Sequence, residues 1–304
     1  MQSIRNLARA AAALMGVGII LGMSPAWASF VGPISPYYLD DVGNETIYVV
    51  QGTSVINSFP WAYGVGAGCP AGSNCESSLA VTNVVSTDWW GNVYGSPGTA
   101  GQYTLSGTPT VTSWTDTPPP AGETFNATYD STSDGTHNYT IEFYNNHYTE
   151  NVVETNLNFQ NPIVLFSPSP GAFQWIGIAY DPFNNSLWLS SNGGLSTIAD
   201  YSLTGALLSS FTTVVGVTED SLGFDPADGT LWFNSGAGNL LWQYSTSGTL
   251  LQDGTPSGLP SGPFYSGDFA EAAPSSVPEP ASLTIFGSAL IGLGAALRRK
   301  RKTA

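Results

Sequence analysis

One stretch of this chain repeats itself, and the repeat limits the folds open to it. Ile178-Ala179-Tyr180-Asp181-Pro182 precedes Leu187-Trp188-Leu189. The same order returns as Leu222-Gly223-Phe224-Asp225-Pro226 before Leu231-Trp232-Phe233, about 44 residues further on, a spacing in the range of four-stranded repeats. Downstream, Tyr201-Ser202-Leu203-Thr204-Gly205-Ala206-Leu207-Leu208 is matched by Tyr244-Ser245-Thr246-Ser247-Gly248-Thr249-Leu250-Leu251. One unit therefore reads as a strand, an Asp-Pro turn, a Trp-bearing strand, a third strand ending in Tyr, a Gly turn and a fourth strand. Asp accepts from backbone donors ahead of it and Pro presets φ, so the pair suits a turn.

A unit of four strands and this length has the size of a propeller blade. Weaker copies lie upstream. Gln102-Tyr103-Thr104-Leu105-Ser106-Gly107 echoes the Tyr-to-Gly piece, with Leu79-Ala80-Val81-Thr82 as its first strand. Tyr129-Asp130 before Asn138-Tyr139-Thr140-Ile141 echoes the Asp-turn piece, and Tyr38-Leu39-Asp40 before Glu45-Thr46-Ile47-Tyr48-Val49 suggests a further start. Short β-branched and aromatic runs alternate with Gly, Asn, Asp and Pro clusters, and long amphipathic helices are missing, which is an all-β pattern. The expected fold is an all-β, propeller-like body of about five four-stranded blades, near 34–62, 76–115, 123–167, 172–215 and 218–263, closed by a strand from each terminus. The last two units resemble the NHL/lactonase-like propeller repeats of secreted bacterial proteins. That resemblance covers about 90 residues and implies fold, not activity.

In the third unit, His137 to Tyr144 and His147 to Val153 flank Asn145-Asn146 and read as a tight hairpin. Pairing Tyr144 with His147 puts Tyr139, Ile141, Phe143, Tyr148 and Val152 on one face, with Glu150 the misfit among them.

The two ends read differently from the middle. Arg5 and Arg9 precede the uncharged apolar run Ala10 to Met23, and Ala26-Trp27-Ala28 fits the small-x-small rule. Residues 1–28 thus read as a signal peptide forming a signal helix, cut between Ala28 and Ser29 by signal peptidase. At the other end Pro278, Glu279 and Pro280 form a stiff, non-helical knuckle. Ala281 to Leu297 is uncharged and just long enough to span a bilayer as a transmembrane helix. Arg298, Arg299, Lys300, Arg301 and Lys302 follow as a cytoplasmic basic anchor. Knuckle, span and basic tail over 278–304 resemble the PEP-CTERM sorting signal of exopolysaccharide-producing Gram-negative bacteria. The resemblance implies an exosortase that cuts near the Pro-Glu-Pro after a transient stay in the inner membrane. The alternative is a plain C-terminal anchor that is never cut.

The body between, 29–277, carries no basic side chain. All seven Lys and Arg lie in the terminal segments, while all 22 Asp and Glu lie between residues 40 and 279. No Lys or Arg salt bridge can form within it, and nothing in it can neutralise a phosphate backbone, so nucleic acid is excluded as a partner. Mechanisms that need Lys or Arg are excluded with it. The body's two cysteines, Cys69 and Cys75, flank a short turn-rich loop. Export would take them to an oxidising compartment, where a local disulfide is expected. No second Cys or His pair accompanies them for a metal.

His137 and His147 are the only candidate imidazoles, and the hairpin register sets them roughly 20 Å apart at ~3.3 Å per residue. No Gly-x-Ser-x-Gly elbow is present. Among carboxylates, Glu219, Asp220, Asp130 and Glu154 are candidates for convergence on inner strands. Asp181 and Asp225 recur with the repeat and read as turn residues. No cofactor or metal site is expected, calcium being the one cation these carboxylates leave open. Trp188 and Trp232 occupy matching positions and read as blade packing. Trp61, Trp114 and Trp89-Trp90 sit in irregular surroundings, where an aromatic either packs or stacks on a sugar ring. The sequons at Asn44, Asn126, Asn138 and Asn184 carry no weight without a glycosylation system. The resulting expectation is an exported, non-enzymatic surface or matrix protein with a structural or ligand-binding role, exopolysaccharide being a fitting partner. The alternative is a secreted propeller hydrolase or lyase.

Overall fold

The turn spacing predicts strands throughout, and in the computed structural model every element among the described residues is one. Residues 29–63, 76–89, 99–115, 125–144, 149–168, 174–192, 196–213, 220–234 and 238–270 are described. The expected signal peptide, Cys69 and Cys75, Trp90, His147, Glu219 and the whole segment 278–304, with Pro278, Glu279, Pro280 and the basic residues 298–302, lie outside them.

Twenty strands form five antiparallel sheets of four. Blade 1 contains β1 (Tyr37–Asp41), β2 (Thr46–Gln51) and β3 (Ser54–Pro60). Blade 2 is β4 (Glu76–Val81), β5 (Val84–Trp89), β6 (Thr99–Thr104) and β7 (Pro109–Thr115). Blade 3 is β8 (Phe125–Ser133), β9 (Asn138–Tyr144), β10 (Thr149–Thr155) and β11 (Ile163–Phe166). Blade 4 is β12 (Gln174–Asp181), β13 (Ser186–Asn192), β14 (Thr197–Ser202) and β15 (Leu207–Thr212). Blade 5 is β16 (Asp220–Asp225), β17 (Thr230–Asn234), β18 (Leu241–Ser245) and β19 (Leu250–Gly254). The last strand, β20 (Phe264–Phe269), returns to blade 1 and pairs with β1. The expected five blades and the closure from both ends are therefore present. One detail differs: Tyr38-Leu39-Asp40 begins the second strand of blade 1, because β20 takes the innermost place.

The repeat has a packing reason. The Asp-turns cap themselves: Asp181 Oδ1 accepts from the Phe183 N–H at 2.9 Å, and Asp225 Oδ1 from the Ala227 N–H at 2.9 Å. Asp225 Oδ2 also accepts from Ile34 and Ser35, tying the lead-in of blade 1 to blade 5. The Tyr-to-Gly pieces lock neighbouring blades. Phe59 of β3 packs on Tyr103 and over Gly107 of the next blade; Phe166 meets Tyr201 and Gly205, and Phe211 meets Tyr244 and Gly248. A left-handed glycine is needed there because a Cβ on Gly248 would lie 2.6 Å from the Phe211 ring. Blade 3 has no Tyr-to-Gly piece, and there Trp114 of β7 packs against Phe159 instead.

Two register expectations change. Tyr144 pairs with Thr149, not His147, so the connection is longer than the two-residue turn. The shift is by two residues, and a strand's faces alternate with period two, so Ile141 and Val152 still share the apolar side. Asp130 is not a turn residue. It lies within β8, and the equivalent turn uses Asp134, whose Oδ1 accepts from the Thr136 and His137 N–H groups at 2.7 and 2.6 Å.

Candidate functional site

The innermost strands β20, β4, β8, β12 and β16 pack in turn around the axis. Each slips register by one residue: between Glu76 and Ser78, Trp175 and Gly177, Asp220 and Gly223, and opposite Asp40/Asp41 in β20, while β8 slips twice, between Phe125 and Ala127 and again between Thr128 and Ser131. A bulge leaves a strand unpaired locally and re-aims its groups. Here the re-aimed groups meet at one carboxylate. Asp130 Oδ2 accepts from the N–H of Ile178 and of Leu222, both at 3.0 Å. Asp130 Oδ1 accepts from the N–H of Ser131 and of Gly267, both at 3.0 Å, and from the Ser266 hydroxyl at 2.7 Å. The Leu79 N–H in turn donates to that hydroxyl at 2.9 Å. All five blades are thus joined to Asp130.

A second carboxylate repeats the device one level along. Asp268 accepts from the Val81 N–H and the Thr132 hydroxyl, and that hydroxyl accepts from the Tyr180 N–H. Burial raises the pKa of the Asp130 carboxyl, while the Ser266 hydroxyl and the backbone N–H groups draw it back. Every contact Asp130 makes is a donor pointing at it, so the ionised form is the one these contacts fit.

Near the axis the inner strands also carry Tyr129 on β8, Tyr265 on β20 and Asp220 on β16. The Tyr129 and Tyr265 rings meet edge to face at 5.9 Å. Asp220 is 6% exposed, and burial alone pushes its carboxyl up to about 7. Its charge in turn raises the pKa of both tyrosines, after burial. Two of the four candidate carboxylates, Asp130 and Asp220, therefore lie on inner strands. Glu154 does not join them: it sits on the third strand of blade 3, opposite Tyr139.

A second group of buried carboxylates lies between blades 1 and 2 and carried no signal in the sequence. Glu76 Oε2 accepts from the Tyr103 hydroxyl at 2.8 Å, and Asp40 Oδ1 accepts from the Trp61 indole at 2.8 Å. Burial pushes Glu76 up to about 8 against the pull of Tyr103. Burial also raises Asp40, and the Glu76 charge adds to the rise. Asp40 Oδ2 has no partner. Among the described residues no three His, Cys, Asp or Glu side chains are grouped so as to hold a metal.

The other candidates resolve as structure. His137 is a turn residue with Nδ1 3.6 Å from Asp134. Trp61, Trp114, Trp188 and Trp232 are all buried, so none is a sugar platform. Asn138 is buried too, which removes it as a surface sequon.

Residues 276–301 match the PEP-CTERM protein-sorting motif. No curated protein matches the sequence. Among solved structures, a gluconolactonase from Xanthomonas campestris is similar at 14% identity and TM-score 0.46, over 76% of this chain and 79% of that one. Virginiamycin B lyase from Staphylococcus aureus is similar at 15% identity and TM-score 0.41, over 73% of this chain and 70% of that one. A protein of unknown function from Bacteroides caccae is similar at 15% identity and TM-score 0.43, over 74% and 73%.

Two outcomes are expected from the axis. Asp130→Asn turns an acceptor into a donor facing donors and should cost on the order of 3 kcal/mol, read from the midpoint and slope of urea unfolding. Asp220 and Glu76, with folded pKa values of about 7 and about 8, hold protons that the unfolded chain has released above its ordinary carboxylate range. Stability should therefore fall as pH rises from about 5 to about 8, and Glu76→Gln should flatten that slope in a thermal-melt series.

Proposed function

We propose that the protein is exported, held briefly in the inner membrane by its C-terminal segment, and cut by an exosortase near Pro278-Glu279-Pro280. The product then resides at the cell surface or in an exopolysaccharide matrix, where the propeller is a structural or ligand-binding body. The observation that carries this reading is the sorting motif at 276–301, which follows the closing strand β20 after only a short connection. The positive, then apolar, then small-residue N-terminus supports export. The non-catalytic part of the reading is supported by Asp130, whose two oxygens are already engaged by five donors. A base or calcium ligand at that point would have to give those bonds up.

Mass spectrometry of the mature C-terminus tests the sorting. Cells with the processing enzyme should yield a chain ending near Pro280, and cells without it a chain retaining Lys302. An uncut chain in both would overturn the reading. The second reading is a secreted hydrolase or lyase, and the near-neutral Asp220 carboxyl favours it. That reading expects Asp220→Asn to abolish turnover on a panel of lactones and glycans, against unchanged wild-type activity.

A further inference from the structure

Two exposed apolar side chains and the exit of the chain meet at one turn of blade 5. Phe183, in the Asp181 turn of blade 4, is 68% exposed, and Ile34, in the lead-in to blade 1, is 57% exposed. They flank the Asp225 turn. On one side the Phe183 ring meets Phe224 edge to face at 5.9 Å, and a Cβ on Gly229 would lie 3.7 Å from it. On the other side the Ile34 and Ser35 N–H groups donate to Asp225 Oδ2 at 3.0 and 3.1 Å. Ala227, also exposed, lies on the turn itself. The C-terminal exit is beside them, where the Ala270 N–H donates to the Pro36 carbonyl at 3.4 Å.

The fold uses the backbone of these two residues more than their side chains. The Phe183 N–H caps Asp181, and the Ile34 carbonyl accepts from the Gln51 amide at 2.8 Å. Most of each apolar side chain is left in water, which is unfavourable. What lies opposite this face follows from the tether. The described body ends at Ala270, the sorting motif begins at residue 276 and the apolar run at Ala281. The intervening residues 271–280 span at most about 36 Å when fully extended. While the C-terminal segment sits in a bilayer, the face around Ala270 is therefore held near the bilayer surface. A tethered contact acts at high effective concentration, so a small one is enough. Binding at a lipid interface grows with the apolar area buried there, and it needs no Lys or Arg, of which the body has none. We infer that Phe183 and Ile34 form a membrane-contact patch that enters the lipid interface while the body is tethered and turns this face of the propeller towards the bilayer. The inference rests on the membrane-held stage proposed above.

The charges nearby are compatible with that contact. Asp228, at the rim, has both oxygens engaged, by the Thr230 hydroxyl at 2.6 Å and the Gln243 amide at 3.0 Å. The corresponding turn of blade 3 is polar instead, with Asp134, Gly135, Thr136 and His137, so the body leans on the side of blades 4, 5 and 1. Cutting near Pro278-Glu279-Pro280 removes the tether, the effective concentration falls, and the patch lets go.

Photocrosslinking of the full, uncut chain in phosphatidylcholine vesicles tests the patch, with p-benzoylphenylalanine introduced in place of Phe183. Flotation with the vesicles in alkaline carbonate first reports whether the C-terminal segment is inserted. Illumination should then give a lipid adduct, read by mass spectrometry. Its yield should be severalfold higher than with the same probe at Glu45, which is exposed on the turn at the other end of β1 from Pro36. Ile34→Asp keeps the backbone bond to Asp225 and should lower the yield at position 183 severalfold, with the far-UV spectrum unchanged. Should Ile34→Asp fail to fold, the contrast between the two probe positions decides alone. Equal yields at the two positions, a crosslink between two copies of the chain in place of the lipid adduct, or an unchanged yield in folded Ile34→Asp would each overturn the inference. A chain that does not float would overturn the membrane-held stage and this inference with it. A chain that floats but gives no lipid adduct at position 183 overturns the patch alone.

Discussion

Five backbone N–H groups that cannot reach a neighbouring strand govern the centre of this fold. An inner strand of a propeller pairs on one side only, and its other edge faces the axis. Buried, those donors need acceptors. Larger rings leave room for water, whereas here the strands approach closely and one side chain serves all of them directly or through Ser266. The bulge in β8 turns Asp130 to the axis, and the bulges in the other inner strands bring their N–H groups to it. The geometry of the blades and the identity of residue 130 are therefore a single constraint.

The lack of basic residues sharpens this. With no Lys or Arg in the body, each buried carboxylate has to be satisfied by backbone donors, by hydroxyl and indole groups, or by holding a proton. Asp130, Asp268, Asp181 and Asp225 follow the first route. Asp40 leans on Trp61 and Glu76 on Tyr103. Asp220 has neither of these among the described residues and is left to hold a proton, burial having pushed its carboxyl up to about 7.

Much of the architecture was legible because it repeats. The Asp-Pro turns, the matched Trp188 and Trp232 and the Tyr-to-Gly pieces fix strand order in blades 4 and 5, since turn chemistry and inter-blade packing both act locally in sequence. The third blade was misread at Tyr129-Asp130, where an Asp after an aromatic looks like the turn motif but belongs to a bulge four residues earlier. The hairpin register at Tyr144 slipped by two because alternation fixes the face of a strand and not its loop length. Asp130 and Asp220 both lie on inner strands, where the pattern of carboxylates expects them. Glu154 was grouped with them wrongly, as nothing in its local pattern separates a third strand from a first. The Glu76–Asp40 seam could not be foreseen at all, because its two halves come from different blades and neither half carries a motif.

Blade 1 takes one strand from the end of the body and three from its beginning, with Phe269 directly opposite Tyr37. A ribosome or a translocation channel delivers the chain from the N-terminus onward, so the ring stays open until residue 269 has emerged. Until then two of the five donors' contacts at Asp130, those from Ser266 and Gly267, are missing. The polymer is thus an unclosed arc for almost the whole of its delivery, and the last strand acts as a clasp. Both ends of the body also leave from this one clasp, so any load carried by the C-terminal tether falls on the β20–β1 pair before it reaches any other blade.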